Sequence, residues 1–260
     1  LPAVLFMAFA TAEYTPRSML IPLFVFALCI VALLIGFLLK KIFKLKSKLA
    51  PYLMTGFEAG MLGYGLFALL YPGESSAAFA IIDLGQVLFV FTVYKGLVMG
   101  KGSAAELAKQ AFSSPVLWAI IAGMFFGMTG LYSALDPMGI SGVINKLAEF
   151  IAAPTSCLIL ISIGYDLQFK GVPWKKVLSY TGMRVAIMAL ILGMALIVNR
   201  RLLGGMMHEG ALMLMMILPA PYVLPIILDT ENERADIAST LSVMTLLSLV
   251  LFSLMAAITV

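Results

Sequence analysis

Three prolines, Pro219, Pro221 and Pro225, interrupt the apolar stretch MILPAPYVLPIILD (216–229), and one carboxylate, Glu58, stands in the glycine-rich GFEAGMLGYG (56–65). Proline lacks an amide hydrogen and clashes with the preceding turn, at roughly 3 kcal/mol in a helix interior. In an apolar solvent the backbone groups it frees are tolerable only where they line a polar cavity or are buried in protein. Two half-helix ends meeting there offer unpaired N–H groups and a positive dipole end, a seat for a carboxylate. The plainer alternative is a proline-kinked packing helix. Glu58 is a candidate ion-coupling group at the other interruption, or else a residue near an interface that reaches water. Asp83 and Gln86, in AIIDLGQVLFVF (80–91), are i, i+3 neighbours on one helix face. They form either a proton or cation site or a polar pair facing headgroups. Thr155 and Ser156 follow Pro154; their hydroxyls either bond substrate or satisfy backbone carbonyls.

The solvent is set by composition. Of 260 residues, 62% are hydrophobic and 12% charged, and the mean hydropathy is +1.07. A soluble domain is typically about 45–50% apolar and about 25% charged, so the chain reads as an integral membrane protein. It reads as all-α, because 22 glycines and the lack of strong polar alternation do not describe an outer-membrane barrel. The two cysteines, Cys29 and Cys157, sit in apolar runs, which argues against a disulfide scaffold. The chain opens on LPAVLFMAFATA, with no charged leader.

A bilayer core takes about 20 apolar residues per helix. Runs of that kind predict helices near 18–39, 54–71, 77–99, 115–134, 140–164, 177–199, 210–228 and 237–260, with a shorter stretch at 1–12. Turn-rich punctuation at 71–76 (YPGESS), 135–139 (LDPMG) and 170–176 (KGVPWKK) supports those boundaries. With these spans, Lys40, Lys41, Lys44, Lys46, Lys48, Lys95, Lys101, Lys109, Lys170, Lys175, Lys176 and Arg234 fall on one side. Only Arg17, Arg200 and Arg201 fall on the other, beside Glu13, Glu74, Asp136 and Glu209. That bias predicts cytoplasmic lysine-rich loops in a multi-pass cell-membrane protein. The net charge of +4 then reports topology, and no nucleic-acid partner is expected. The pair Arg200-Arg201 is a local exception to the bias.

An internal repeat is visible. Pro2 and Pro154 open similar apolar runs at an offset of 152 residues, and Gly60 and Pro219 mark interruptions at an offset of 159. Each half then closes on an unbroken apolar helix, 77–99 or 237–260. The second half holds five helices, so by analogy the first lacks one, with about 40 residues expected before Leu1. Odd-numbered repeats enter the membrane in opposite directions, the inverted plan of secondary transporters. The domains are therefore 1–99 as first repeat, 100–114 as cytoplasmic linker and 115–260 as second repeat.

The segments LPAVLF, GFEAGMLGYGLF, AIIDLGQVLFVF, IAAPTSCLILISIGYDL and LPAPYVLP resemble the auxin efflux carrier family of membrane transporters, in its bacterial type. The resemblance implies ten helices in two inverted repeats of five, with the fourth and ninth broken and crossing at the substrate site. It also implies elevator-type alternating access, relation to the bile-acid sodium symporter fold, and a homodimer as in the plant members. Carried over by position, the ninth-helix crossover is Leu218-Pro219-Ala220-Pro221. The fourth is Glu58 to Gly65, with Gly60 and Gly63 as break points. The chain departs from the plant exporters in having no proline at the first crossover and no asparagine at either. The segment 101–114 is also short, and a smaller organic anion, such as malate or malonate, fits better than auxin.

Other signals are plainer. Gly123 and Gly127 in GMFFG form a small-xxx-small packing motif. Arg184 is expected to snorkel, or else to attract an anion, Lys146 and Glu149 to form a surface ion pair, and His208 to lie in an external loop without metal partners. GKGS (100–103) lacks the rest of a phosphate loop. No nucleophile–base constellation points to an enzyme, and no cofactor is expected, while coupling to H+ or Na+ is compatible with Glu58, Asp83 and Gln86. The sequence thus predicts a secondary carrier of small organic anions in a lipid bilayer. The alternative is a non-transporting membrane sensor of the same fold.

Overall fold

The computed structural model describes residues 2–12, 14–15, 18–45, 47–98, 113, 115–152, 154, 158, 161, 172–222, 224–227 and 231–259. Thr155, Ser156, Cys157 and the linker 100–112 lie outside the described residues, as does the side chain of Glu149. The described elements are helical, and the long ones follow the apolar runs. They are α1 (Pro2–Ala10), α2 (Leu20–Ile42), α3 (Tyr64–Leu70), α4 (Ala77–Phe89), α5 (Lys95–Val98), α6 (Pro115–Met128), α7 (Leu131–Ala134), α8 (Ile140–Ala152), α9 (Trp174–Arg201), α10 (Glu209–Ile217) and α11 (Glu231–Thr259). A π-helical turn, Val90–Tyr94, joins α4 to α5, so Ala77–Val98 is one span. Leu20–Ile42, Ala77–Val98, Trp174–Arg201 and Arg234–Ile258 are each long and apolar enough to cross a membrane. A fifth candidate is the pair Leu117–Met128 and Leu131–Met138, bent by 68°.

One succession occurs twice. A long helix (α2, then α9) is followed by a discontinuous segment and another long helix (Ala77–Val98, then α11). The first discontinuous segment is a 3-10 turn (Ala50–Met54), an extended link, a π-helical turn (Ala59–Gly63) and α3. The second is α10, an extended link and a 3-10 turn (Leu224–Ile227). The helices expected at 54–71 and 210–228, each with an interruption near its middle, are both split.

Glycines set how closely the helices approach. A Cβ on Gly85 of α4 would lie 2.2 Å from the Pro22 carbonyl oxygen of α2, and one on Gly36 of α2 2.8 Å from that of Pro51. Gly123 and Gly127 of α6 seat in the same way against the carbonyls of Phe6 and Phe9 in α1, at 2.6 and 2.7 Å, the packing role expected of the GMFFG motif. Around α2, α4 and α10 lies a buried core that includes Phe67, Phe79, Phe89 and Tyr94.

At one end of the bundle Lys176 Nζ meets Asp236 Oδ2 at 2.5 Å. At the other, Arg200 forks onto Glu209, with Nε and Nη2 donating at 2.7 and 2.6 Å. Half-buried Glu209 opens α10, and this hydrogen bond holds its carboxyl below the usual range. The pair explains one half of the Arg200-Arg201 exception: Arg200 serves the acidic start of α10. His208 Nδ1 accepts from the Ala211 amide as the cap of α10, and its Nε2 lies 3.1 Å from Glu74.

Candidate functional site: a crossing of two broken segments

The links of the two discontinuous segments touch. The Glu58 amide donates to the Pro219 carbonyl at 3.0 Å, and Glu58 Oε2 accepts from the Tyr222 amide at 2.8 Å. The first break lies at Thr55–Glu58, before the expected break points: Gly60 and Gly63 fall inside the π-helical turn. The reason is conformational. Gly56 has φ of +69°, a value glycine adopts without penalty, and a Cβ there would meet Pro221 Cγ at 2.8 Å. Gly63 matters for closeness, since its Cβ would lie 2.9 Å from Leu218 Cδ1. Gly60 has open space where a Cβ would be.

The second break starts at Leu218, whose backbone turns extended (ψ 150°) after α10. Pro219 and Pro221 bring no amide hydrogens, so fewer donors need partners there. The carbonyls do need them, and side chains supply them. Arg184 Nη1 donates to Leu53 O at 2.8 Å, and its Nη2 to Gly56 O and Leu218 O at 2.7 and 3.0 Å. Gln86 Nε2 donates to Phe57 O at 2.7 Å. Ser248 Oγ donates to Ile217 O at 2.5 Å, and the Tyr222 hydroxyl pairs with Thr245 Oγ1 at 2.7 Å. The link thus resembles a turn whose hydrogen bonds come from neighbouring helices, as non-helical backbone at membrane depth requires.

Arg184 departs most from expectation. It does not snorkel: it is 3% exposed and ties three carbonyls of both breaks together. It sits ten residues into α9, about 15 Å from the helix start, because α9 begins three residues earlier than the sequence suggested. That depth exceeds the reach of an arginine to the surface. No carboxylate lies within ion-pair distance among the described residues.

Asp83 and Gln86 are 2% and 5% exposed, so they are not a headgroup-facing pair. Tyr64 Oη donates to Asp83 Oδ2 at 3.1 Å. Asp83 Oδ1 and Gln86 Oε1 have no hydrogen-bond partner among the described residues, an uncommon state for buried acceptors. Both residues line a cavity of about 180 Å³ with Glu58, Gly60, Lys95 and Pro221. Leu5 of α1 and Ile120 of α6 close its far wall. Lys95 Nζ lies 4.2 Å from the centroid of Phe91, which also lines the cavity. A second cavity of about 180 Å³, mostly apolar, is lined by Thr181, Arg184, Met216, Leu218, Pro219 and Ser248.

Of the residues expected from the sequence, Glu58, Gly60, Asp83, Gln86 and Pro221 share one cavity, and Pro219 lines the other. Ala220 is buried between the two prolines. Arg184, Tyr64, Lys95 and Ser248 complete the arrangement. For Arg184 its depth in an apolar helix was the available signal; for Ser248 and Tyr64 the sequence carried none.

Over 116 residues, 44% of this chain, the sequence is 31% identical to an uncharacterized transporter of Methanothermobacter thermautotrophicus. The aligned stretch covers 35% of that protein, so the chain spans about a third of the relative's length. No protein-family model matches the chain, and no solved structure matches it. The similarity is thus to part of a transporter, and four long helices among the described residues, or five with the bent pair, are apolar enough to cross a membrane.

Proposed function

We propose that this chain is the core of a secondary carrier that moves a small organic anion, such as malonate or malate, by elevator-type alternating access. In this reading 1–99 and 115–260 are inverted repeats joined by a cytoplasmic linker, and the lysine-rich loops face the cytoplasm. The observation that carries it is the crossing itself. Two helices break at the same place, and their links are tied together by Glu58, Arg184 and Pro219 beside a cavity lined by Glu58 and the buried Asp83. Broken helices meeting between repeats are where secondary transporters bind substrate and coupling ion.

The charges decide how an anion could enter. Glu58 and Asp83 line the cavity, and like charges at close range in a poor dielectric repel strongly. The anion therefore travels with a proton or a cation, for which Asp83 Oδ1 and Gln86 Oε1 are the open acceptors. Lys95 draws the anion in, and the first turn of the half-helix at Gly60 offers backbone N–H groups to its carboxylate.

Uptake of labelled malonate and malate into proteoliposomes, with and without a proton gradient, tests this. Pro219→Ala/Pro221→Ala is expected to lower uptake at least about tenfold while the protein stays monodisperse, since a positioning error of this kind costs on the order of 10²-fold. Asp83→Asn is expected to remove the response to the proton gradient. Equal uptake by the proline variant would mean the prolines only bend a packing helix. No uptake of either acid under any gradient would sink the anion reading.

A further inference from the structure

A separate cavity of about 630 Å³ opens between the turn that ends α2 and the first turns of α9, lined by Lys44, Trp174, Lys175, Lys176, Ser179 and Tyr180. We propose that this cavity holds the headgroup of an anionic phospholipid. Its charge has little internal compensation. Lys176 is paired with Asp236, whereas Lys44 and Lys175 have no ion pair among the described residues. Its place is right for a headgroup. It lies where two helices long and apolar enough to cross a bilayer both reach an end, and basic pockets between such helices take lipid phosphates.

The rim suits the rest of a lipid. Trp174 is 52% exposed at the start of α9, and Leu178, one turn deeper, is 57% exposed. Ile42 and Phe43 are exposed at the end of α2. An indole at headgroup level with apolar side chains just below it is the arrangement of a membrane interface.

Lys44 adds an independent observation. It follows the last residues of α2 in the left-handed region, with φ of +49°, alone in this among the described non-glycine residues. The Leu45 amide bonds Lys40 O at 3.0 Å, and the Phe43 amide bonds Leu39 O at 2.8 Å, which places Lys44 at the position of a helix-ending motif where glycine is favoured. The chain has a lysine there, with no ion pair among the described residues, and a bound lipid phosphate would supply the gain that offsets the conformational penalty.

That penalty makes the test clean, because Lys44→Gly removes the charge while improving the turn. The chain has two tryptophans, so Trp118→Phe leaves Trp174 as the only indole. Emission of the full chain is then followed in vesicles containing brominated phosphatidylglycerol or brominated phosphatidylcholine. Stronger quenching by the anionic lipid is expected, with Lys44→Gly and Lys175→Gln each weakening its apparent association about fivefold. Lys44→Gly should leave Tm in phosphatidylcholine unchanged or higher. Equal quenching by the two lipids, or a preference untouched by both substitutions, overturns the proposal. So does displacement by millimolar inorganic phosphate, which would assign the cavity to a soluble anion.

Discussion

The two breaks that cross at the centre of this molecule are built by opposite means. The first, Thr55–Glu58, turns on a glycine whose positive φ changes the chain's direction. The second, Leu218–Pro221, turns on prolines that end one helix and remove two amide donors. The consequences differ. A glycine break leaves its amides and carbonyls in place, so partners must come from outside: Gln86 for Phe57 O, Arg184 for Gly56 O, and Pro219 O for the Glu58 amide. A proline break has mainly carbonyls left to satisfy, and Arg184, Ser248 and Glu58's own amide suffice. Each break supplies what the other lacks. Proline carbonyl pairs with glutamate amide, and glutamate carboxylate with the amide that follows the prolines.

The comparison is broken most severely by removing the group common to both sides. Arg184→Leu strands three buried carbonyls, at about 1–3 kcal/mol each. The expected loss is on the order of 3–5 kcal/mol, or failure to fold, read by thermal unfolding in detergent. Arg184→Lys should recover little, since a single ammonium cannot reproduce the planar fork. A smaller effect separates conformation from contact. Gly56→Ala meets both an unfavourable φ and the Pro221 ring, and should cost about 2–3 kcal/mol. Adding Pro221→Ala relieves the contact alone, so the double variant should recover about 1 kcal/mol of that loss. Full recovery would show that the φ at Gly56 is not a constraint. The smallest effect lies at the end of the second segment. Because Arg200 holds the carboxyl of Glu209 below its usual range, its contribution is present above the unfolded pKa and lost as pH falls through the folded one. In Glu209→Gln the dependence of Tm on pH should flatten on the acidic side, only slightly, and less so in high salt.

Much of this architecture was legible. Long apolar runs gave the spans to within a few residues at α2, Ala77–Val98 and α9. Pro219 and Pro221 marked the second break because proline's missing donor is a property of the residue itself. Asp83 and Gln86 were readable as a pair because i, i+3 spacing fixes a common face. The first break was misplaced by a few residues. Four glycines stand between 56 and 65, and only tertiary contact decides which takes a positive φ. Gly56 is selected by its close approach to Pro221, from a segment more than 160 residues away in sequence. Arg184 was read as a surface cation because the expected start of its helix was too late. With α9 beginning at Trp174, the same residue is too deep to reach water.

The glycine seats described for α4 and α6 have a mechanical consequence. Gly85 sets α4 hard against α2, and the crossover hydrogen bonds fasten that pair to α9, α10 and α11. Gly123 and Gly127 set α6 equally hard against α1. Every hydrogen bond of the crossover described above lies within the first group. The carboxylate-lined cavity has its far wall, Leu5 and Ile120, on the second. The boundary between the two groups runs through that cavity, with Glu58, Asp83, Gln86 and Lys95 on the first side and Leu5 and Ile120 on the second. Shear along it would reshape the cavity without disturbing the knot that Arg184 ties.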